Sequence, residues 1–214
     1  MMPRRPVETL TDSTIPLQTT AFCFVVEGHT EHDYLQIALG VAEPNIIDNP
    51  PCTDASNLIR NALIHLGKGS GYKKIFVVFD QDKLQPDSKT WETIGKQLVD
   101  VRDEEIVILY SAPWFDYILQ LHFDNNPSVD MDSKKALVKY GFGKHKKEKT
   151  RQRLMEHLKK HPAKICLMYR RLLKRDKKLN FSNETTLEER TQPLNTPNSN
   201  FYIALKELKK EGLL

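Results

Sequence analysis

The segment Lys74-Ile75-Phe76-Val77-Val78-Phe79-Asp80 constrains the fold more than any other part of the chain. Its apolar run has no polar alternation, so both faces of the strand it forms must be covered, as in parallel strands sandwiched between helices. Phe22-Cys23-Phe24-Val25-Val26 has the same texture and closes at Glu27-Gly28. Apolar residues at Tyr34, Leu35, Ala38 and Leu39 then predict a helix over 31–39, with Thr30 as its cap. Asn45-Ile46-Ile47 predicts a weaker second strand. Asp54 or Ser56 caps a helix through Leu58, Ala62, Leu63 and Leu66, and Gly67, Gly69 and Gly71 allow the turn into the strong strand. A helix from Ser88 to about Val99, a strand over Glu105–Leu109 and an apolar helix over Trp114–Phe123 complete the alternation.

Strands alternating with helices imply an open, mainly parallel, Rossmann-like α/β sheet flanked by helices on both faces. A length of 214 residues suits one core with an appendage. Residues 1–20 read as a loose arm, 21–132 as the α/β core and 133–214 as a basic helical extension. That extension is expected to hold helices around Arg151–His161 and Ala163–Lys178, a polar loop over Asn180–Asn200, and a terminal helix near Asn200–Lys210. Cys23, Cys52 and Cys166 match neither a disulfide framework nor a zinc spacing. No apolar core of a signal peptide follows Arg4 and Arg5, and no apolar run is long enough to span a bilayer. The expectation is a soluble, cytoplasmic protein without membrane contact.

The formal net charge of +4 conceals a strong segregation. Residues 134–178 hold 18 Lys or Arg against 3 acids, a net of +15, which leaves 14 basic and 25 acidic side chains elsewhere, a net of −11. Such asymmetry predicts a polyanion-binding surface on the later part of the chain, the alternative being solvated helix faces. Lys139, Lys144, Lys146, Lys147, Lys149, Arg151, Arg153, Arg170 and Arg171 are the candidate nucleic-acid contacts. Tyr140 and Phe142 lie among these cations, either to stack on unpaired bases or to anchor the segment onto the core.

In an open parallel sheet, functional groups gather beyond the carboxyl ends of the strands. Glu27 directly follows one strong strand and Asp80 another, so the two converge if those strands are neighbours. Asp82 returns to the same edge across the turn. Carboxylates crowded in one crevice repel each other unless a cation joins them, and Mg²⁺, with Mn²⁺ as its substitute, is the natural partner of an all-oxygen donor set. The chemistry this supports is phosphodiester cleavage. Strand-end acids also serve merely as caps, and Asp-x-Asp alone is a weak signal. Lys83, beside Asp82, either contacts a phosphate or pairs with a carboxylate. His29 and His32 either approach phosphate or assist proton transfer, or serve as capping and surface-packing residues; His122 reads as a core histidine, and Trp91 and Trp114 as packing residues.

Val25-Val26-Glu27-Gly28-His29-Thr30-Glu31 and Val77-Val78-Phe79-Asp80-Gln81-Asp82-Lys83 resemble the two motifs of the Toprim domain of topoisomerases, DnaG-type primases and OLD-type nucleases. The resemblance is closer to the RloB-like (AbiLii-type) prokaryotic defence proteins, with their Glu-Gly-x-Thr-Glu and Phe-Asp-x-Asp-Lys segments. Ser111-Ala112-Pro113-Trp114-Phe115-Asp116-Tyr117 with Leu121-His122-Phe123 is similar to that family's Ser-Asn-Pro-Cys-Phe-Glu-x-Trp and Leu-His-Phe. Here Ala112, Trp114 and Asp116 replace Asn, Cys and Glu. Asn195–Asn200 is more distantly similar to an Asn-Pro-x-Thr segment. The resemblance implies Glu27 as general acid or base or as metal ligand, Asp80 and Asp82 as Mg²⁺ ligands, and Asp116 as a further ligand or orienting group. It also implies a phage-defence endonuclease acting on DNA or RNA, transfer RNA included, beside an ATPase partner of the RloA type.

Two other readings compete. A phosphatase with Asp80 as nucleophile would leave Glu27 without a role. A non-catalytic nucleic-acid-binding or ATPase-partner subunit would make the acidic crevice structural.

Overall fold

A computed structural model of the chain describes residues 22–49, 54–67, 71–80, 88–98, 105–112, 114–127, 138–140, 147–179 and 198–212. The expected arm over 1–20 and most of the polar loop before Asn200 lie outside the described residues, as do Asp82, Lys83, Phe142, Lys144 and Lys146.

Strands β1 (Phe22–Val26), β2 (Ile46–Asp48), β3 (Lys74–Asp80) and β4 (Ile106–Ala112) lie parallel in the order β2-β1-β3-β4. The helices are α1 (His29–Asp33), α2 (Ala55–Gly67), α3 (Ser88–Leu98), α4 (Asp116–Leu121), α5 (Lys147–Lys160), α6 (Pro162–Leu179) and α7 (Tyr202–Lys210). Both strong strands are central, so the sheet needs cover on each side, and two apolar clusters supply it. Phe22, Phe24, Val26, Phe76, Val78 and Leu109 face residues 34–39 and helices α4 to α7. Cys23, Val25, Ile75, Val77, Ile106 and Ile108 face α2 and α3. Phe24 and Phe76, cross-strand partners, stack at 5.0 Å between ring centroids. Each such buried ring stabilises the core by about 1.5–3 kcal/mol. Leu154, Leu158, Met168, Leu172, Leu205 and Leu208 belong to the same cluster as β1 and β3, so α5, α6 and α7 complete the core of the sheet.

Several local expectations change. The helix after β1 starts at His29, with extended Gly28 as its N-cap and no side-chain cap, so Thr30 does not cap it. The chain turns directly out of the strand and leaves no room for a longer entry. After Asp33 it widens into a π-helical stretch, Tyr34–Ala38. Gly40, at φ +71°, then ends the helix, and the Val41 N–H donates to the Leu35 carbonyl at 2.9 Å. Of the two caps proposed for α2, Asp54 is the one used, accepting the Asn57 N–H at 2.8 Å.

The polar stretch before α7 holds an element that its composition hides. Asn198–Ser199 forms β5, antiparallel to the end of β4. Asn200 continues the pairing with its side chain, accepting the Tyr110 N–H at 2.8 Å and donating to the Ile108 carbonyl at 2.9 Å. One buried amide thereby satisfies both main-chain groups on that edge. Asn200→Ala is expected to destabilise the protein by about 2–4 kcal/mol, because it strands a buried donor and a buried acceptor. Urea denaturation followed by circular dichroism measures this, and an unchanged midpoint would refute it.

Candidate functional site

The strand order fixes where a site can form. The chain leaves β1 toward β2 on one side and crosses back to β3 on the other, so a crevice opens beyond the carboxyl ends of β1 and β3. Glu27 and Asp80 occupy those two ends. Glu27 accepts the Asp80 main-chain N–H at 3.2 Å, and Asp80 accepts the Phe115 N–H at 2.6 Å through Oδ1. The two acids therefore tie three segments together: the turn after β1, the end of β3 and the entry to α4. A cavity of about 310 Å³ opens there, lined by Glu27, Gly28, His29, Thr30, Glu31, Asp48, Asn49, Asp80, Phe115 and Asp116.

Asp116, the first residue of α4, thus reaches the same cavity as Glu27 and Asp80. Glu31 was not among the candidates drawn from the sequence. It is only 6% exposed. Burial first, and then the charges of Glu27 and Asp116, raise its carboxyl pKa to about 8, against an opposing main-chain hydrogen bond and the charge of Arg151. A Cβ built on Gly28 would stand in ordinary van der Waals contact, 3.4 Å from Glu31 Oε2, so that carboxylate folds back close to the turn after β1. The signal for Glu31 lay in its spacing, four residues after Glu27 on a helix that starts at the site. Asp48 was missed because its strand looked weak, although it obeys the same rule of an acid at a strand end.

His32 stands behind this rim. Its Nδ1 lies 2.7 Å from Asp48 and its Nε2 3.1 Å from Glu43. Burial alone would lower its pKa, but the hydrogen bonds and charges of Asp48 and Glu43 outweigh that and raise it. His122 is the core histidine expected: Nδ1–H points at the Ile118 carbonyl at 3.1 Å and Nε2 accepts the Tyr34 hydroxyl at 3.0 Å. Burial brings its pKa down to about 4, which keeps it neutral.

The donor chemistry suits a hard cation, since Glu27, Glu31, Asp48, Asp80 and Asp116 present oxygen alone. Among the described residues no cluster of three or more His, Cys, Asp or Glu is already drawn together in ligating geometry. Mg²⁺ does not demand one, because it keeps several waters and takes one or two protein carboxylates.

The basic candidates divide by position. Lys149, Arg153 and Arg170 are exposed. Arg151 pairs with Asp33, Arg171 donates to the Leu121 carbonyl, and Lys139 pairs with Asp124 at 3.2 Å. These three charges also hold α5, α6 and the segment after α4 in place. The side chain of Lys147 is outside the described residues. Tyr140 stacks on Phe123 at 4.8 Å, which places that ring against the fold. Cys23 and Cys166 are free thiols, and among the described residues no helix is long and apolar enough to cross a membrane.

The family model described as RloB-like protein matches residues 22–208, from the first strand to the last helix. No curated protein and no solved structure matches the chain.

Proposed function

The chain belongs to the RloB-like protein family, and from that membership we propose that it is a magnesium-dependent endonuclease of Toprim type, related to OLD-type nucleases, that cleaves nucleic acid in phage defence. The observation that carries this reading is the meeting of Glu27, Asp80 and Asp116 from three separate segments in one cavity at the switch point of the sheet. A neutral or capping role for three acids would not require their convergence. Glu27, Asp80 and Asp116 are the described residues that would hold Mg²⁺, with Asp82 of the same Asp-x-Asp. The bound ion would neutralise a non-bridging phosphate oxygen and stabilise the leaving oxygen.

The chain's own residues supply the rest. The Asp80 N–H fixes Glu27, and the Phe115 N–H fixes Asp80, so neither acid must reorganise when substrate arrives. Glu31, kept protonated by burial, holds a proton at the wall of the cavity and limits the negative charge that a phosphate meets there. Exposed Lys149, Arg153 and Arg170 offer counter-charge for a nucleic-acid backbone. The protein partner proposed is an ATPase of the RloA type.

The test is to incubate the purified protein with labelled transfer RNA, single-stranded DNA and duplex DNA, with Mg²⁺, with Mn²⁺ and with chelator. Cleavage of at least one substrate in either metal and none in chelator is expected. Salt-sensitive binding without cleavage in any condition would instead favour a non-catalytic nucleic-acid-binding subunit.

A further inference from the structure

Beyond the acidic crevice, four rings from three segments form a continuous row. Tyr140 stacks on Phe123 with centroids 4.8 Å apart and planes 21° apart, Phe123 faces His157 at 6.0 Å and 28°, and His157 meets His161 at 4.3 Å with the planes tilted by 45°. The row ends in an exposed imidazole, because His161 lies at the junction of α5 and α6. Its flanks are cationic: Lys164 Nζ sits 4.3 Å from the Phe123 centroid, Lys139 Nζ 5.5 Å from that of Tyr140, and Lys160 is exposed. His157 is depressed in pKa by burial and then by His161, Lys164 and Lys160. Asp124, at the edge of this group, is paired with Lys139.

Such a row is more than core packing requires. Packing alone would bury its last ring and place apolar neighbours about it, whereas this row is open at one end and ringed with lysines. An open ring face beside the Lys160 and Lys164 charges fits a nucleobase with its phosphate, since every base offers a π-face and every linkage a negative charge. Stacking of this kind requires a base that is not already inside a duplex. The location also fits. Phe123 lies seven residues beyond Asp116, and His157 six beyond Arg151, whose charge reaches Glu31. The segment that begins at the crevice with Asp116 thus leads into the row at Phe123, and Arg151 and His157 share α5.

We propose that the Tyr140–Phe123–His157–His161 row, with Lys160 and Lys164, is a stacking platform for an unpaired base of a single-stranded nucleic acid whose backbone continues toward the acidic crevice. The proposal rests on the reading of that crevice as a nucleic-acid site and narrows its substrate to one with unpaired nucleotides.

The experiment measures binding without chemistry. A short fluorescein-labelled oligonucleotide, single-stranded or annealed to its complement, is titrated with the full chain in chelator and followed by anisotropy at several salt concentrations. His161→Ala is expected to weaken single-strand binding about 10-fold or more and to leave duplex binding unchanged, while His161→Tyr restores it. Lys160→Ala is expected to lower the salt slope by about 0.7, the loss of one phosphate contact to a single strand. His161 and Lys160 are exposed, so circular dichroism of both variants is expected to match the parent. Equal single-strand affinity in His161→Ala, an equal loss for duplex, failure of tyrosine to rescue, or no single-strand binding by the parent would each overturn the platform. Cleavage is not involved, so failure of the platform and failure of the nuclease reading are distinguishable.

Discussion

Asp80→Asn and Glu27→Gln are each expected to lower cleavage by about 10²–10⁴-fold, with the fold intact. Both changes keep the shape and an accepting oxygen of the side chain. The amide oxygen introduced by Asp80→Asn can still take the Phe115 N–H, and the one introduced by Glu27→Gln can still take the Asp80 N–H. The two hydrogen bonds that assemble the crevice therefore survive. What disappears is one negative charge from a cavity that Glu27, Asp80 and Asp116 share. If that charge serves a cation and a phosphate, activity falls while stability holds or rises slightly, since the repulsion among the carboxylates is relieved. A purely structural crevice predicts the reverse pattern, with activity unmoved. The measurement is the single-turnover cleavage rate on the substrate found for the parent, alongside the urea midpoint. Parent-like rates in either variant would remove that residue from the site.

How much of this is legible in the residues alone follows from the physics of each signal. The continuous runs Phe22–Val26 and Lys74–Phe79 admit hardly any environment except the middle of a parallel sheet, and there they lie. The convergence of Glu27 with Asp80 then follows from adjacency of their strands. Asp116 came from motif resemblance alone, because nothing in its local spacing says that α4 begins at the crevice. Glu31 and Asp48 escaped for opposite reasons. A buried acid is the exception among glutamates, so composition argues against it, and a three-residue edge strand carries too little periodicity to mark its own end. β5 and Asn200 were illegible because they pair with β4 far along the chain, β5 by its main chain and Asn200 by a side-chain amide that reaches the Ile108 carbonyl across 92 residues, which no local pattern encodes. The basic segment was read as one surface, whereas Arg151 and Arg171 turn inward to hold α5 and α6. Charge counts do not report direction.

Glu31→Gln is expected to stabilise the protein at alkaline pH by about 2–4 kcal/mol and to have little effect near pH 4.5, because burial raises the folded-state carboxyl to about 8 from an ordinary 4.5. Below pH 4.5 both folded and unfolded chains carry the proton, and the glutamate costs nothing relative to glutamine. As pH rises toward 8 the unfolded chain gives up its proton freely. The folded chain must either keep it or place a third negative charge beside those of Glu27 and Asp116, at a buried position. The unfolded state therefore binds fewer protons across this interval, and the stability of the parent falls with rising pH until the folded carboxyl itself ionises. Glutamine removes the titration and with it this slope. Urea denaturation of parent and variant at pH 5 and pH 8.5 measures the difference directly. The parent is expected to lose stability relative to the variant between those two values, and parallel curves would show that the Glu31 carboxyl is not held protonated. Combining Glu31→Gln with Glu27→Gln adds a second condition. Once Glu27 is replaced by a neutral side chain, one of the charges that raise the Glu31 pKa is gone, so the benefit of Glu31→Gln at pH 8.5 is expected to shrink in the Glu27→Gln background. Strict additivity would place the two carboxylates too far apart to share one site.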